Sequence, residues 1–321
     1  MVHKVSGQLG FADAWLGHNQ KLNQQLDKID RLINWKPFEA LLSKIYASPT
    51  GRPSHPVLLL FKALLLQTWH NLSDYALEEA LDDRLSFRRF VSLSTSEKAP
   101  DHSVFSRFRD ELIKQGIHDR LFAELNRQLE ERRLIIKKGT LVDATVIEAA
   151  PKKPLHNEDG STGQSPQDPE ATWTKKGGRF FHGYKAHVGV DQGSELVRRI
   201  EMTPANVHDG KMLGRVLCGD EKWAFADKAY DSVENHEILQ EKGILNGIIM
   251  KAVRNRALTE SEKQCNRILS RLRSPVERVF GTLKRSYRYC RARYLGLRKN
   301  RLQLTMMCIA YNLRRMEKLC V

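Results

Sequence analysis

The chain lacks the features that fix small folds covalently or anchor them in lipid. Its five cysteines, Cys218, Cys265, Cys290, Cys308 and Cys320, are scattered, and no two stand in a CxxC pair. That spacing argues against a zinc site and against a disulfide framework. Long apolar runs are also missing. The longest, Val57–Leu66, is broken by Lys62 and is too short to span a bilayer. The N-terminus has no charged, apolar and small-residue succession of a secretory signal, so a reducing cytoplasm is the expected compartment.

The first 250 residues carry no excess charge of either sign. Lys251–Val321 holds 19 Lys and Arg against 4 Glu, which accounts for the whole formal excess of +15. Such a concentration is the electrostatic footprint of a protein that meets a polyanion. A solvated basic tail or a membrane-surface helix is the bland alternative. Against it stand Glu277 and the interleaved Phe280, Tyr287, Tyr289 and Tyr294. At 41% hydrophobic and 28% charged the chain is globular rather than disordered, and 321 residues suffice for two domains.

Residues 1–134 read as nearly all helix. Leu22, Leu26, Ile29 and Ile33 fall at helical spacing, and Pro37 sits where a first-turn proline would, ahead of Phe38, Leu41, Leu42 and Ile45. SHPVLLLFKALLLQTW is apolar on most sides, so a buried helix is expected. Ser73 and Asp101 are candidate N-caps, the second for a helix holding Phe105, Phe108 and Leu112. Leu121, Phe122, Leu125 and Leu129 mark one more helix. Arg84, Arg88, Arg89, Arg107 and Arg109 would suit a helix-turn-helix role if exposed; a plain helical bundle fits equally well.

Residues 135–321 change character. Lys138–Ala149, KGTLVDATVIEA, reads as a largely buried strand with an acid, Asp143, inside it. A charge there is costly unless something offsets its desolvation. A metal ion would, and a lone carboxylate rarely holds Mg²⁺. Two further acids stand at element-like positions: Asp227 at the end of the short strand Lys222–Ala226, and Glu277 on a late helix. Between the first two acids lies Ala150–Arg179, with four prolines and four glycines, read as a long loop whose Trp173 is expected to anchor it on the core, stacking on a DNA base being the alternative. A hairpin follows, Phe180–Asp191 and Glu195–Met202, with Lys185 and His187 on one face. His208, in the next loop, is either a residue supporting the site or an ordinary cap. A helix Val233–Glu241, a strand Asn246–Lys251 and the basic helices Glu260–Leu272, Pro275–Tyr289 and Lys299–Leu319 complete the order. The fold class is α/β: a ribonuclease-H-like core with a mixed five-stranded sheet and helices, preceded by an all-helical domain.

Each acid has a structural alternative. Asp143 could be a buried acid paired with Lys or Arg. Asp227 could be an ordinary cap, with Asp209 and Asp231 as nearby acids of similar context. Ser274-Pro275-Val276-Glu277 has the spacing of a capping box.

The stretches VDATVIEAAP, DPEATWTKKGGRFFHGYKAHVGVD, MTPANVHD, WAFADKAYDS and SPVERVFGTLK resemble, in order, the DDE transposases of bacterial insertion sequences, in the group named insertion-sequence family five. SHPVLLLFKALLLQTWHNLSDYALEEAL resembles that group's helical leader, so the likeness runs from about Arg52 to Asn312. It implies Asp143, Asp227 and Glu277 as catalytic, metal-binding acids for two Mg²⁺ ions, with Mn²⁺ as a substitute. One ion would activate the attacking water and the other would steady the leaving 3′ oxygen, and the freed 3′-OH would attack target DNA. The family's arginine, glutamate and lysine signature falls on Arg273, Glu277 and Lys284, while the tyrosine of related families is replaced by Ser270. On one continuous helix Arg273, Glu277 and Lys284 would share a face. Lys185, Arg273, Lys284, Arg288, Arg291 and Arg293 are the expected DNA contacts. The expected partners are transposon ends and target DNA, with a homodimer pairing two ends, nucleoid association and no membrane. A transposase-derived DNA binder without catalysis and a stand-alone metal-dependent nuclease are the alternatives.

Overall fold

The computed structural model describes residues 24–45, 54–154, 163–253 and 256–320. Leu22 and residues 155–162 of the expected long loop lie outside them. The chain divides into two compact units, Met1–Glu131 with Thr305–Val321, and Arg132–Leu304. The division on the N-terminal side falls between Glu131 and Arg132. The last residues join the helical unit rather than the sheet-bearing one.

The helical unit is built around α3. The helices in order are α1 (Gln24–Leu32), α2 (Lys36–Leu42), α3 (Val57–His70), α4 (Asp74–Asp83), α5 (Leu85–Val91), α6 (His102–Lys114) and α7 (Ile117–Glu131). Eleven of the fourteen residues of α3 are buried, as its apolar surface requires. Lys62 is among them, its Nζ 2.5 Å from Asp30 Oδ1 and 4.7 Å over the Trp35 ring. Ser73 and Asp101 do cap: Ser73 Oγ accepts from Ala76 N at 3.1 Å, and Asp101 Oδ1 from Ser103 N at 2.8 Å. The late segment from Thr305 completes this unit. Trp69 Nε1 donates to Ala310 O at 2.9 Å, Asn312 Nδ2 to Asn126 Oδ1 at 3.2 Å, and Lys28 pairs with Glu317 at 3.2 Å.

Two of the arginines expected at the surface are internal staples. Arg88 is 5% exposed and donates to the carbonyls of Leu81, Ser94 and Glu97. Arg109 is 8% exposed and grips Asp74 with both Nη atoms, at 2.8 and 2.5 Å. Arg89 pairs with Asp27. The helix-turn-helix expectation loses most of its basic residues here. Arg109→Ala should lower stability by about 3 kcal/mol, because it strands a carboxylate whose cation is gone. A urea midpoint measures this, and Asp74→Leu with Arg109→Met should recover most of the loss.

The second unit is a six-stranded mixed sheet with order β2-β3-β1-β5-β6 and β4 paired to β3. The strands are β1 (Thr140–Glu148), β2 (Thr172–Lys176), β3 (Arg179–Asp191), β4 (Val197–Pro204), β5 (Trp223–Ala226) and β6 (Leu245–Ile248). Five were expected; the sixth, β2, lies inside the segment read as loop. β1 runs antiparallel to β3 and parallel to β5, and β5 parallel to β6. Val142, Ala224, Ala226 and Ile248 from three of these strands pack with Leu213, Val216, Tyr230 and Leu239 into one core.

The helices of this unit are α8 (Leu213–Val216), α9 (Val233–Glu241), α10 (Glu260–Arg273) and α11 (Pro275–Arg285); α12 (Leu297–Leu319) begins in it. α11 buries Val276, Val279, Phe280 and Leu283, whereas α10 buries none of its residues. Pro275 opens α11 because it needs no N–H partner in a first turn. Among the described residues, no helix is long and apolar enough to cross a membrane.

Candidate active site

Asp143 lies in the middle of β1, opposite Val188 of β3. Side chains alternate along a strand, so Asp143 shares a face with Leu141, Thr145 and Ile147. Burial pushes its carboxyl above the usual carboxylate range, against the pull of Arg273, the Ala144 N–H and Lys176. Arg273 Nη1 stands 3.1 Å from its Oδ2, and Ala144 N donates to its Oδ1 at 2.9 Å.

Asp227 comes off the neighbouring strand. β1 and β5 are parallel, with Thr140 beside Ala224 and Leu141 beside Phe225. Asp143 comes two residues after Leu141, and Asp227 comes two residues after Phe225, directly past the end of β5 at Ala226. Adjacent strands are about 4.8 Å apart, so the two acids are neighbours by topology. Asp227 is also a cap, its Oδ1 accepting from Lys228 N at 2.6 Å at the start of a 3-10 turn, Lys228–Tyr230. The cap and the site position therefore coexist.

Glu277 sits in the first turn of α11, with its side chain 68% exposed. Arg273 Nη2 lies 3.6 Å from its Oε1, so one guanidinium spans Glu277 and Asp143. The expected continuous helix is interrupted: α10 ends at Arg273 and α11 starts at Pro275. Ser274 keeps right-handed helical angles, φ −49° and ψ −30°, so the turn carries on and Arg273 still meets Glu277. The capping-box alternative for Glu277 is not realised. Ser274 Oγ instead donates to Arg271 O at 3.0 Å and caps nothing. The preceding helix already occupies the place an extended N-cap needs. A true capping box does open α10, formed by Thr259 and Glu262.

Two groups that sequence reasoning passed over, Tyr230 and Lys176, lie close by, with Asp209, named there only as an acid of similar context to Asp227. Tyr230 is buried, and its hydroxyl has no hydrogen-bond partner among the described residues. Burial and the charges of Asp209, Asp143 and Asp227 push it well above the phenol range. Asp209 Oδ1 lies 2.9 Å from Lys185 Nζ. Lys176, at the end of β2, acts on both Asp143 and Lys284. The one available signal was the stretch ADKAYD, which sets a tyrosine three residues after Asp227.

The expected DNA contacts divide. Lys284 is half-buried, its ammonium disfavoured first by burial and then by Lys176. Arg288 and Arg293 are exposed. Arg291 donates to Ala149 O at 3.0 Å, Ala150 O at 2.5 Å and Pro151 O at 3.3 Å, so three of its five donors hold the end of β1. Lys185 lies on the other face of the sheet from Asp143. It pairs with Val146, so it faces away from Asp143, and it donates to Val207 O at 2.8 Å beside Asp209. His187 shares that opposite face, bonded to Thr203 Oγ1 at 2.9 Å. His208 is an exposed cap whose Nδ1 accepts from Gly210 N at 3.2 Å, not a support for the acids.

The donor set fits a divalent cation: three carboxylates, one raised by burial, two of them acting on a buried hydroxyl that has no hydrogen-bond partner among the described residues. Oxygen-only donors suit Mg²⁺. The three carboxylates are not already drawn together at ligand spacing. Among the described residues, the groups whose ligand atoms lie within 4.8 Å of one another are Glu78, Asp101 and His102, and Cys218, Asp220 and Glu221. The second of these is internally satisfied. Glu221 accepts from the N–H groups of Cys218, Gly219 and Asp220, and Asp220 pairs with Lys137 and Arg198.

Comparison with known families gives two matches. A family model described as transposase DDE domain matches residues 136–313. One described as transposase domain (DUF772) matches residues 15–111. No solved structure matches the chain.

Proposed function

Since the chain belongs to the transposase DDE domain family, and so is an enzyme of DNA cleavage and strand transfer on a ribonuclease-H-like fold, we propose that it binds the terminal inverted repeats of its own insertion sequence and moves that element. Asp143, Asp227 and Glu277 would hold its Mg²⁺ ions. The observation that carries this reading is the meeting of three chain segments: Asp143 on β1, Asp227 directly after the parallel neighbour β5, and Glu277 joined to Asp143 through Arg273.

In the first step a water oxygen bonds to phosphorus, the bond to the 3′ oxygen breaks, and the 3′ oxygen leaves with a proton. In the second, that 3′-OH attacks a phosphodiester of the target and releases the target's 3′ oxygen. Bound divalent cations supply Lewis-acid polarisation of the phosphate and of the attacking oxygen. The chain's own groups do the rest. Arg273 orients Asp143 and Glu277 and offers a fork for phosphate oxygens. Lys284, held half-buried close to Lys176, adds positive charge where the pentavalent phosphate gathers negative charge. Pairing of two ends by a homodimer, with the helical unit serving end binding or dimerisation, completes the proposal.

The test is a reaction of the full chain with DNA carrying the sequences that flank its reading frame, in Mg²⁺ and in chelator. The expected result is Mg²⁺-dependent 3′-OH ends that become joined to target DNA. Cleavage without joining would identify a nuclease instead. Tight, salt-sensitive binding without cleavage would identify a DNA binder.

A further inference from the structure

The helix that ends at Arg273 has little apolar surface to hold it. α10 buries none of its residues. Its half-buried positions are Glu262, Asn266, Leu269 and Arg273, a helical stripe turned toward the rest of its unit, and Leu269 alone among them is apolar. Glu262 bonds within the helix's own lead-in, to Arg256 and Thr259. Asn266 and Arg273, two turns apart on that stripe, reach further. Arg273 meets Asp143. Asn266 grips the backbone of Met250 from both sides: its Oδ1 accepts from Met250 N at 2.9 Å, and its Nδ2 donates to Met250 O at 3.0 Å. A side-chain amide carries a donor and an acceptor together, so it can pair with one residue's N–H and C=O as a neighbouring strand would.

Met250 belongs to the segment Ile249–Lys251, which leaves the end of β6. Each of its residues is tied. Ile249 N donates to Ala226 O at 3.0 Å, and Ala226 immediately precedes Asp227. Lys251 N donates to Asp231 Oδ2 at 2.7 Å, just past the turn that follows Asp227. The other Asp231 oxygen meets His236 Nε2 at 2.9 Å, so that carboxylate is held in place. The backbone on either side of Asp227 is therefore fastened to the same short segment that Asn266 grips from α10.

We propose that Asn266 is a positioning residue of the active site: through the strut Ile249–Lys251 it sets where α10, and with it Arg273 and Glu277, stands relative to Asp227. Asp231 is the matching anchor at the other end of the strut. Neither side chain touches the ion or the DNA in this role. A small divalent ion accepts its oxygen ligands only within a narrow range of distance and angle. Loosening the strut should therefore weaken ion binding before it changes the rate of the ion-loaded enzyme. The inference rests on the catalytic reading of Asp143, Asp227 and Glu277.

The experiment titrates Mn²⁺ into the full chain on end DNA that is already cut, and follows the free ion by electron paramagnetic resonance against the DNA alone. Asn266→Ala should weaken Mn²⁺ binding on the order of 10-fold. With uncut ends it should raise the Mg²⁺ needed for half-maximal cleavage by about the same factor, while the rate at saturating Mg²⁺ stays within about threefold of wild type. Asp231→Ala should do the same. The double variant should bind Mn²⁺ at most about twofold worse than the weaker single one, because either change releases the same segment. Gln264→Ala, at an exposed position of α10, should match wild type. If Asn266→Ala folds poorly, Asn266→Asp, which can still accept from Met250 N, takes its place and should show a smaller loss of the same kind. Folded Asn266 variants that bind Mn²⁺ like wild type, or single losses that multiply in the double variant, overturn the strut and leave the transposase reading intact. A wild type that binds no Mn²⁺, or an Asp143→Asn chain that binds it like wild type, overturns the catalytic reading instead.

Discussion

Asp143→Asn should reduce both cleavage and joining on the order of 10³-fold or more, and it should do so without making the protein less stable. The two halves have one cause. Asp143 is an acid in a buried strand, and burial raises its carboxyl above the usual range despite Arg273 at 3.1 Å. A carboxyl raised on folding binds its proton more tightly in the folded state. Its favourable contribution is therefore full below the unfolded-state value of 3.8 and is lost as pH climbs through the raised folded-state value. At neutral pH the charged form is a burden, retained because catalysis requires it. Asparagine keeps the shape and removes the charge. Calorimetry in chelator should then find little difference between variant and wild type near pH 3, and a difference in favour of the variant that grows toward pH 7. Wild-type activity in Asp143→Asn would remove the acid from the reaction.

Arg273→Gln should cost on the order of 10² in rate and should make stability depend on divalent ions. In the structure the guanidinium lies 3.1 Å from Asp143 and 3.6 Å from Glu277, so one cation keeps two acids from repelling each other. The Glu277 side is 68% exposed and solvent screens it, so the contact to Asp143 carries most of the effect. Without the guanidinium, bound Mg²⁺ would be the charge best placed to bridge the two acids, with Lys176 and Lys284 acting only electrostatically on Asp143. The melting temperature of Arg273→Gln should fall in chelator and rise on adding Mg²⁺ by clearly more than wild type rises. Arg273→Lys should regain much of the stability but little of the rate, because an ammonium is not a two-toothed fork. An equal Mg²⁺ response in wild type and Arg273→Gln would show that the arginine does not organise the acids.

What could be read from the chain beforehand follows from where the signals are local. Asp143 declared itself because a charge among Leu141, Val142, Val146 and Ile147 contradicts its own strand. Asp227 was legible as the last residue after an apolar run. The strand inside Ala150–Arg179 was not, because four prolines and four glycines mask the few residues of Thr172–Lys176. The alternation of Lys185 and His187 was read correctly, but alternation does not say which face holds Asp143. That is decided by the pairing of Lys185 with Val146, a long-range fact. Arg88 and Arg109 misled for a similar reason: a charged residue looks exposed until its buried partners arrive from elsewhere in the chain. The Ser274–Glu277 pattern satisfied a capping rule that assumes a free helix start, and α10 removes that assumption.

The helical unit draws its last piece from Thr305–Val321, and this has a consequence for synthesis. On the ribosome the first hundred or so residues of this sequence emerge well before Ala310, so Trp69 finds that carbonyl only after more than two hundred further residues have been made. A product stopped by a frameshift after Leu304 would possess every acid of the site and still lack the segment that closes its leading bundle. Synthesis of the segment from Thr305 onward thus sets the moment at which the helical unit can close.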